Sequence, residues 1–195
     1  YPQEAVMTGL PGESFIRADM PMTKREIRAS VVSRLSPAKD AIVYDIGAGT
    51  GSVSVELAMH ALYGTVYAIE RTKEGCELIA QNARKFGLDN IDIINGGAAD
   101  VIEKLPAADS VFIGGSGGEL EKIMDIVLKK NPGVHIVITA VTLETLNDSV
   151  RLMEDKKVDV IDIVQIAVTQ IKKRGRYHML AANNPVFIIE GRGNR

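Results

Sequence analysis

Residues 43–54 read Val-Tyr-Asp-Ile-Gly-Ala-Gly-Thr-Gly-Ser-Val-Ser, and they indicate both a fold and a binding site. An apolar strand over residues 41–46 runs into three glycines at alternate positions, and a helical pattern begins at Ser52. The glycines let the backbone turn sharply and let a ligand approach closely, because no Cβ stands in the way. The helix start adds unpaired N–H groups and a positive dipole end, which favour a carboxylate or a phosphate. The stretch therefore predicts a site for a nucleotide-like ligand.

The spacing of these glycines favours one class of ligand. The dinucleotide fingerprint G-x-G-x-x-G needs a third glycine where the chain has Ser52, whereas Gly47, Gly49 and Gly51 form G-x-G-x-G. A second strand ends at Glu70, and a carboxylate in that position can accept hydrogen bonds from both ribose hydroxyls of an adenosine. This combination resembles the S-adenosylmethionine (SAM) pocket of the seven-stranded methyltransferases. It favours SAM over NAD, and over a tight turn that binds no ligand.

Length and composition narrow the class of protein. A chain of 195 residues predicts one domain over residues 1–195, with residues 1–22 as an irregular N-terminal lead rich in proline and glycine. The net charge of −2 gives no electrostatic case for a nucleic-acid or membrane partner. Cys76 is the only cysteine, so the sequence has no internal disulfide framework, which favours a reducing, cytoplasmic compartment. The side chain of Cys76 is expected to be a small, buried one. No apolar run approaches the length of a membrane span, and no signal peptide is evident.

The rest of the chain alternates between strand and helix patterns. Helices are predicted over residues 24–35, from 52 to a stop at 64, and over 73–86, 120–130 and 143–156. Strands are predicted over residues 41–46, 65–70, 91–95, 110–113, 134–140, 158–168 and 186–190. Because the last two strands have no helix between them, the expected fold is an α/β, Rossmann-like seven-stranded sheet, mostly parallel, with a final antiparallel hairpin.

Three further segments have both a structural and a functional interpretation. Residues 23–26 have the form of a capping box, with Thr23 as the N-cap of the first helix, and spacing alone favours that role. Small residues at Gly97 and Ala98 either form a short turn or let a flat adenine ring lie against the backbone. Residues 114–118 place four glycines around one serine after a central strand. That loop either bends away for structural reasons or leaves room for a bulky ligand.

Four segments together resemble one family. They are residues 22–28 (MTKREIR), 45–51 (DIGAGTG), 114–120 (GGSGGEL) and 138–145 (ITAVTLET). They are similar to segments of the decarboxylating cobalt-precorrin-6B C15-methyltransferases, the stand-alone precorrin methylases of cobalamin synthesis. The resemblance extends from about residue 15 to about residue 190. It implies an enzyme that methylates C15 of a corrinoid ring and removes carbon dioxide from the C12 acetate side chain, with SAM as the methyl donor.

The resemblance also assigns site residues, and it promotes Thr23 from a helix cap to a SAM contact. The expected SAM-binding residues are Thr23, Gly47, Ala48, Gly49, Thr50, Gly51, Glu70, Gly97 and Ala98. The expected substrate-binding residues are Arg17, Gly114, Gly115, Ser116, Gly117 and Thr139. Several cations are either carboxylate ligands for the substrate or solvated surface charges; they are Arg17, Lys24, Arg28, Lys172, Lys173, Arg174 and Arg176.

The sequence also bears on the partners of the protein and on two alternative functions. The resemblance implies a corrinoid substrate, a homotetramer, and subunit contacts that involve residues 172–176. The three histidines, His60, His135 and His178, show no metal-ligand spacing, so no metal site is expected. The basic residues 172–176 leave a tRNA methyltransferase as an alternative, although the chain has few aromatic residues on which bases could stack. The late hairpin leaves a second alternative, a non-catalytic assembly partner that keeps the SAM fold.

Overall fold

The computed structural model describes residues 8–194, so residues 1–7 of the expected lead lie outside the described part. The strands of that part are β1 (Ile42–Ile46), β2 (Thr65–Glu70), β3 (Ile91–Asn95), β4 (Ser110–Ile113), β5 (His135–Ala140), β6 (Val158–Ile166), β7 (Thr169–Arg174), β8 (Tyr177–Ala182) and β9 (Val186–Gly193). Its α-helices are α1 (Arg25–Leu35), α2 (Ser52–His60), α3 (Lys73–Lys85), α4 (Ala98–Val101), α5 (Leu120–Lys130) and α6 (Leu143–Asp155). Single 3-10 turns cover Gly12–Ser14 and Ile102–Lys104.

Seven strands form one sheet in the order β3-β2-β1-β4-β5-β9-β6. Strands β1 to β5 pair in parallel, and β9 lies antiparallel between β5 and β6. The predicted class, an α/β sheet that is mostly parallel and ends in an antiparallel pair, is confirmed. Strand β1 lies between β2 and β4, so the chain leaves the centre of the sheet in opposite directions. In open α/β sheets such a switch point forms a crevice at the carboxyl ends of the strands, and ligands bind there.

Helices cover both faces of the sheet, and the strand residues alternate between two hydrophobic cores. In β4, Phe112 packs with α1 and α2, whereas Val111 and Ile113 pack with α5 and α6 on the other face. All three side chains are at most 2% exposed. Burial on both faces explains why the central strands read as continuous apolar runs in the sequence. Among residues 8–194, no helix combines the length and the hydrophobicity needed to cross a bilayer.

The start of α1 differs from the prediction. The helix begins at Arg25 with Lys24 as its N-cap, and no side chain caps it. The proposed capping box of Thr23 and Glu26 is therefore wrong, because Lys24 is still extended (ψ 151°) and Thr23 precedes the cap. The carbonyl oxygen of Thr23 instead accepts a hydrogen bond from Nη1 of Arg28 at 2.8 Å. Thr23 is thus free to face the crevice at the carboxyl edge of the sheet.

The end of the chain contains an element that was not predicted from the sequence. Strands β6 and β9 pair antiparallel as expected, but between them β7 and β8 form a separate two-stranded sheet. Residues 172–176 form the end of β7 and the turn to β8 in this extra hairpin, and all of them are exposed. Cys76 also differs from expectation, because on α3 it is partly exposed instead of buried.

Candidate functional site

Three glycines with positive φ shape the turn after β1. Gly47, Gly49 and Gly51 have φ values of 77°, 56° and 75°, in the left-handed region that residues with a Cβ rarely adopt. The N–H groups of Gly47 and Ala48 donate to the carbonyl oxygen of Ile69 at 3.0 and 3.1 Å. These bonds fasten the turn to the end of β2, and the backbone geometry alone accounts for the three glycines.

The turn after β1 touches the loop after β4 through bare backbone. A Cβ placed on Gly47 would lie 2.7 Å from the carbonyl oxygen of Gly115 and 2.8 Å from its nitrogen. On the same side, the N–H groups of Gly114 and Gly115 donate to the carbonyl oxygen of Ile46 at 2.9 and 3.2 Å. The two glycine-rich segments therefore meet at the switch point of the sheet, with no side chain between them.

Glu70 fastens the glycine turn to α3. Its side chain is buried at the end of β2, and Oε1 accepts hydrogen bonds from the N–H and Oγ1 of Thr72 at 2.9 and 2.8 Å. Oε2 accepts from the N–H of Gly49 at 3.0 Å. Because a carboxylate has about four acceptor positions, Oε2 keeps one for a ligand hydroxyl. A Cβ on Gly75 would lie 2.5 Å from Cγ of Glu70, so this glycine makes room for the carboxylate.

A segment before α1 forms a wall of the same crevice. We call residues 9–23 the N-terminal strap. The carbonyl oxygen of Pro21 and Sδ of Met20 lie 3.7 and 3.9 Å from the place that a Cβ on Gly49 would occupy. Met22 and Thr23 continue along the crevice toward α1. The strap thus lies opposite the glycine turn and encloses the space between them.

These segments surround a cavity of about 550 Å³, which is within the range of ligand sites in proteins. Most of the predicted site residues line it. They are Thr23, Gly47, Gly49, Glu70, Gly97, Ala98, Gly114, Gly115, Ser116, Gly117 and Thr139. The structure therefore brings the expected SAM-binding and substrate-binding segments together at one place.

Four predicted site residues do not line this cavity. Gly51 is the N-cap of α2, and Thr50 is 1% exposed with its carbonyl oxygen bonded to Nδ2 of Asn82. Ala48 lies within the turn, and Arg17 is exposed on the strap. Gly51 and Thr50 therefore shape the turn from behind the cavity.

The charged side chains at the cavity are only partly those that were expected. Lys24 and Arg71 are exposed residues that line it, and Nη1 of Arg71 lies 3.3 Å from the place that a Cβ on Gly117 would occupy. Arg28, a candidate carboxylate ligand, is wrong for that role: it is 0% exposed and forms an ion pair with Glu56. Residues 172–176 lie on the β7–β8 hairpin and are absent from the cavity lining.

Several residues that line the cavity were not predicted from the sequence. They are Met20, Pro21, Met22, Arg71, Thr72, Glu119 and Val141. Arg71 and Thr72 directly follow Glu70, and Glu119 directly follows the glycine-rich run. Their positions in the sequence could therefore have indicated that they line the cavity. The three strap residues gave no local signal, because their place depends on contacts with distant helices.

Asp45 lies in β1 immediately before the glycine turn and is fully buried. Burial raises the pKa of its carboxyl to about 6, against an opposing effect of the hydrogen bonds from Ser54, and the charge of Glu70 adds to the rise. Oδ2 accepts a hydrogen bond from the Ser54 hydroxyl, whereas Oδ1 has no partner among the described residues. The protonated carboxyl is therefore favoured in the folded protein compared with the unfolded chain.

Strand order, the glycine turn after β1 and the buried carboxylate at the end of β2 define the class: this is the fold of the SAM-dependent methyltransferases. The family is narrower than the class. The chain belongs to the precorrin methyltransferase domain family, whose model matches residues 14–191.

Named relatives agree with this family. A protein from Pyrobaculum calidifontis, named a probable cobalt-precorrin-6B C(15)-methyltransferase (decarboxylating), is 39% identical over 184 residues, which cover 93% of this chain and 94% of the relative. The cobalt-precorrin-6B C(15)-methyltransferase (decarboxylating) of Salmonella typhimurium is 36% identical over 179 residues, covering 91% and 92%. The crystal structure of precorrin-6y C5,15-methyltransferase from Geobacter metallireducens superposes with a TM-score of 0.89 at 36% identity and covers 97% of this chain and 99% of that one.

The contact between Gly47 and Gly115 predicts an unequal cost for two matched substitutions. Gly47→Ala forces a residue with a Cβ into the left-handed region and also places that Cβ against the backbone of Gly115. Gly118→Ala carries only the cost of the left-handed backbone, since nothing lies within 4 Å of its Cβ position. We expect urea unfolding to show a loss of about 1–2 kcal/mol for Gly118→Ala and of about 3 kcal/mol or more for Gly47→Ala. Equal losses would contradict the contact.

The raised pKa of Asp45 predicts a pH dependence of stability. Between the unfolded pKa and the folded pKa of about 6, the folded protein holds a proton that the unfolded chain has released. The contribution of this group to stability is therefore fully present at low pH and falls as the pH rises through about 4 to 6. Asp45→Asn removes the titration but keeps an acceptor for Ser54.

The measurement is urea unfolding of both proteins at about pH 4 and about pH 7. Relative to Asp45→Asn, the wild type should be less stable at the higher pH than at the lower one. If the free energies of unfolding of the wild type and Asp45→Asn differ by the same amount at both pH values, the carboxyl of Asp45 does not titrate in this range.

Proposed function

We propose that this protein is a decarboxylating cobalt-precorrin-6B C15-methyltransferase of cobalamin biosynthesis. The reaction methylates C15 of the corrinoid ring and removes the C12 acetate carboxyl as carbon dioxide. The observation that carries the proposal is the cavity, in which the glycine turn after β1 and the glycine-rich loop after β4 form adjacent walls. The names of relatives that are 36–39% identical over more than nine-tenths of the chain support the same reaction.

SAM fits the side of the cavity formed by β1 and β2. Gly47 and Gly49 line the cavity, so the adenosine and methionine portions can approach the backbone of the turn. Oε2 of Glu70 retains an acceptor position for a ribose hydroxyl, and Gly97 and Ala98 leave room for an adenine ring because neither carries more than a methyl group. Thr23 lines the opposite wall. When bound, SAM supplies a methyl group on a positively charged sulfonium.

The corrinoid fits the side formed by the loop after β4. Nothing lies within 4 Å of a Cβ position on Gly115, so a large flat ring can approach the loop backbone closely. Arg71 and Lys24 are cations at the rim, and a guanidinium can bind a carboxylate of the ring through two parallel hydrogen bonds. Ser116 and Thr139 add hydroxyl groups to the same wall. Arg17, which is exposed on the strap, is a further candidate for binding a peripheral carboxylate.

Placement and the exclusion of water are the contributions that we assign to the chain. Attack of a ring carbon on a sulfonium methyl needs an in-line approach, and it needs neither a nucleophilic serine nor a nucleophilic cysteine. The glycine walls permit the approach, and the strap covers the donor side of the cavity. Any cobalt belongs to the substrate.

We also propose a cytoplasmic homotetramer in which the β7–β8 hairpin contacts a second copy, with no nucleic-acid or membrane partner. A two-stranded sheet is marginal on its own in water, yet this hairpin carries large exposed apolar side chains. They are Ile171 (67% exposed), Tyr177 (60%), Met179 (55%) and Leu180 (75%). Burial of this surface between copies would stabilise both the hairpin and the assembly.

An activity assay tests the proposed reaction. The purified protein is incubated with SAM and cobalt-precorrin-6B, and the methylated corrinoid and the released carbon dioxide are measured. We expect both products. Arg71→Ala should raise KM for the corrinoid by about tenfold and leave KM for SAM nearly unchanged, because it removes a charge-assisted contact at the substrate side.

Lys104→Ala is the matched control, since Lys104 lies in the 3-10 turn after α4 and is absent from the cavity lining. Absence of both products would refute the reaction. Binding of tRNA that weakens steeply with salt would instead support a tRNA methyltransferase. Failure to bind SAM would support the assembly partner.

Light scattering during size-exclusion chromatography tests the assembly. The wild type should have the mass of a tetramer, and Leu180→Glu should lower it, because a charge on the hairpin opposes burial between copies. Leu62→Glu is the matched control, since Leu62 is 50% exposed in the link from α2 to β2, and β2 lies in the half of the sheet away from β9 and β6, which flank the hairpin in the chain. A monomeric wild type, or an unchanged mass in Leu180→Glu, would exclude this interface.

A further inference from the structure

The N-terminal strap is fastened at both ends by one buried ion pair. Oε2 and Oε1 of Glu56 accept hydrogen bonds from the N–H groups of Gly9 and Leu10 at 2.8 and 2.9 Å. Arg28 pairs with Glu56 and donates to the carbonyl oxygens of Leu10 and Thr23. Both charged side chains are 0% exposed, so they hold the start and the end of the strap against α1 and α2.

The backbone of the middle of the strap is hydrogen-bonded by one amide side chain. Asn82, on α3, is 0% exposed. Its Oδ1 accepts from the N–H of Ile16 at 2.8 Å, and its Nδ2 donates to the carbonyl oxygen of Ile16 at 2.8 Å. Phe15 packs beside this point, with its ring 5.1 Å from that of Phe86. The strap therefore crosses α3 at one specific register.

The same amide also holds the opposite wall of the cavity. Nδ2 of Asn82 donates a second hydrogen bond, at 2.8 Å, to the carbonyl oxygen of Thr50 in the glycine turn. Three of the four hydrogen bonds available to an asparagine side chain are thus made, and they join two backbone segments that are 34 residues apart, residues 16 and 50. Downstream of Ile16, Met20 and Pro21 approach Gly49 of that turn.

We propose that Asn82 is a positioning residue for the methyl donor: by joining the strap to the glycine turn it fixes the separation of the two walls between which SAM binds. The proposal rests on the proposed function, since it assigns the donor to this part of the cavity. Without the amide, the strap keeps its two ends but loses its register over α3. The closed arrangement then becomes a fraction of the ensemble, and the apparent affinity for the donor falls by that fraction.

Calorimetric titration of the full chain with SAM and with S-adenosylhomocysteine tests this inference. Asn82→Ala should weaken both affinities by about tenfold or more. Asn90→Ala is the matched control: Nδ2 of Asn90 donates to the carbonyl oxygens of Ala58 and Ala61 at 3.0 and 2.8 Å, at the far end of α2 from the cavity. It removes the same kind of amide-to-carbonyl hydrogen bond, in a partly buried setting, and it should change the affinities by less than about threefold.

Two further readouts separate positioning from general destabilisation. In steady-state kinetics, Asn82→Ala should raise KM for SAM and leave kcat at saturating SAM within about threefold of the wild type. Amide hydrogen exchange should accelerate over residues 15–23 and remain unchanged in β4.

If Asn82→Ala does not fold, Ile16→Pro serves in its place. It removes the Ile16 N–H that donates a hydrogen bond to Oδ1 of Asn82, at a strap residue that is 37% exposed, and it leaves α3 intact. It should weaken donor binding in the same direction. If the variant that folds, Asn82→Ala or Ile16→Pro, binds the donor as tightly as the wild type does, the inference is overturned. If the wild type binds neither SAM nor S-adenosylhomocysteine, the proposed function itself is overturned.

Discussion

The contact between the backbones of Gly47 and Gly115 is the constraint on which the rest of the site depends. Adjacent parallel strands β1 and β4 lead into helices on opposite faces of the sheet, which opens a crevice at their carboxyl ends. A side chain at position 47 would collide with the loop after β4, at 2.7 Å from a carbonyl oxygen. With glycine at position 47, the two loops pack closely below the cavity and leave its interior to a ligand.

Buried polar groups then connect the walls of this cavity. Glu70 joins the turn to α3 through Gly49 and Thr72, and Arg28 joins the end of the strap to α2 through Glu56. Polar groups that are removed from water must find partners, and each of these side chains finds them on a different segment of the chain. The interactions that satisfy them therefore also set the geometry of the site.

Much of this architecture was predictable from the sequence, because the signals are local. The strands and helices follow from hydrophobic period and glycine stops, and the β3, β4 and α5 boundaries agree with the structure residue for residue. The strap, the burial of Arg28 and the role of Asn82 were not predictable, because the ion pair of Arg28 with Glu56 joins residues 28 positions apart and the bond of Asn82 to Ile16 joins residues 66 positions apart. The β7–β8 hairpin was missed since both its faces are exposed and its sequence shows no apolar alternation.

A crystal structure of the protein with S-adenosylhomocysteine tests the central claim most directly. The account predicts that the adenosine lies across the turn at residues 47–51, with a ribose hydroxyl on Oε2 of Glu70, the adenine beside Ala98, and the sulfur directed toward the loop at residues 114–117. A ligand bound elsewhere on the chain, or a cavity closed by the protein's own side chains in the complex, would contradict it.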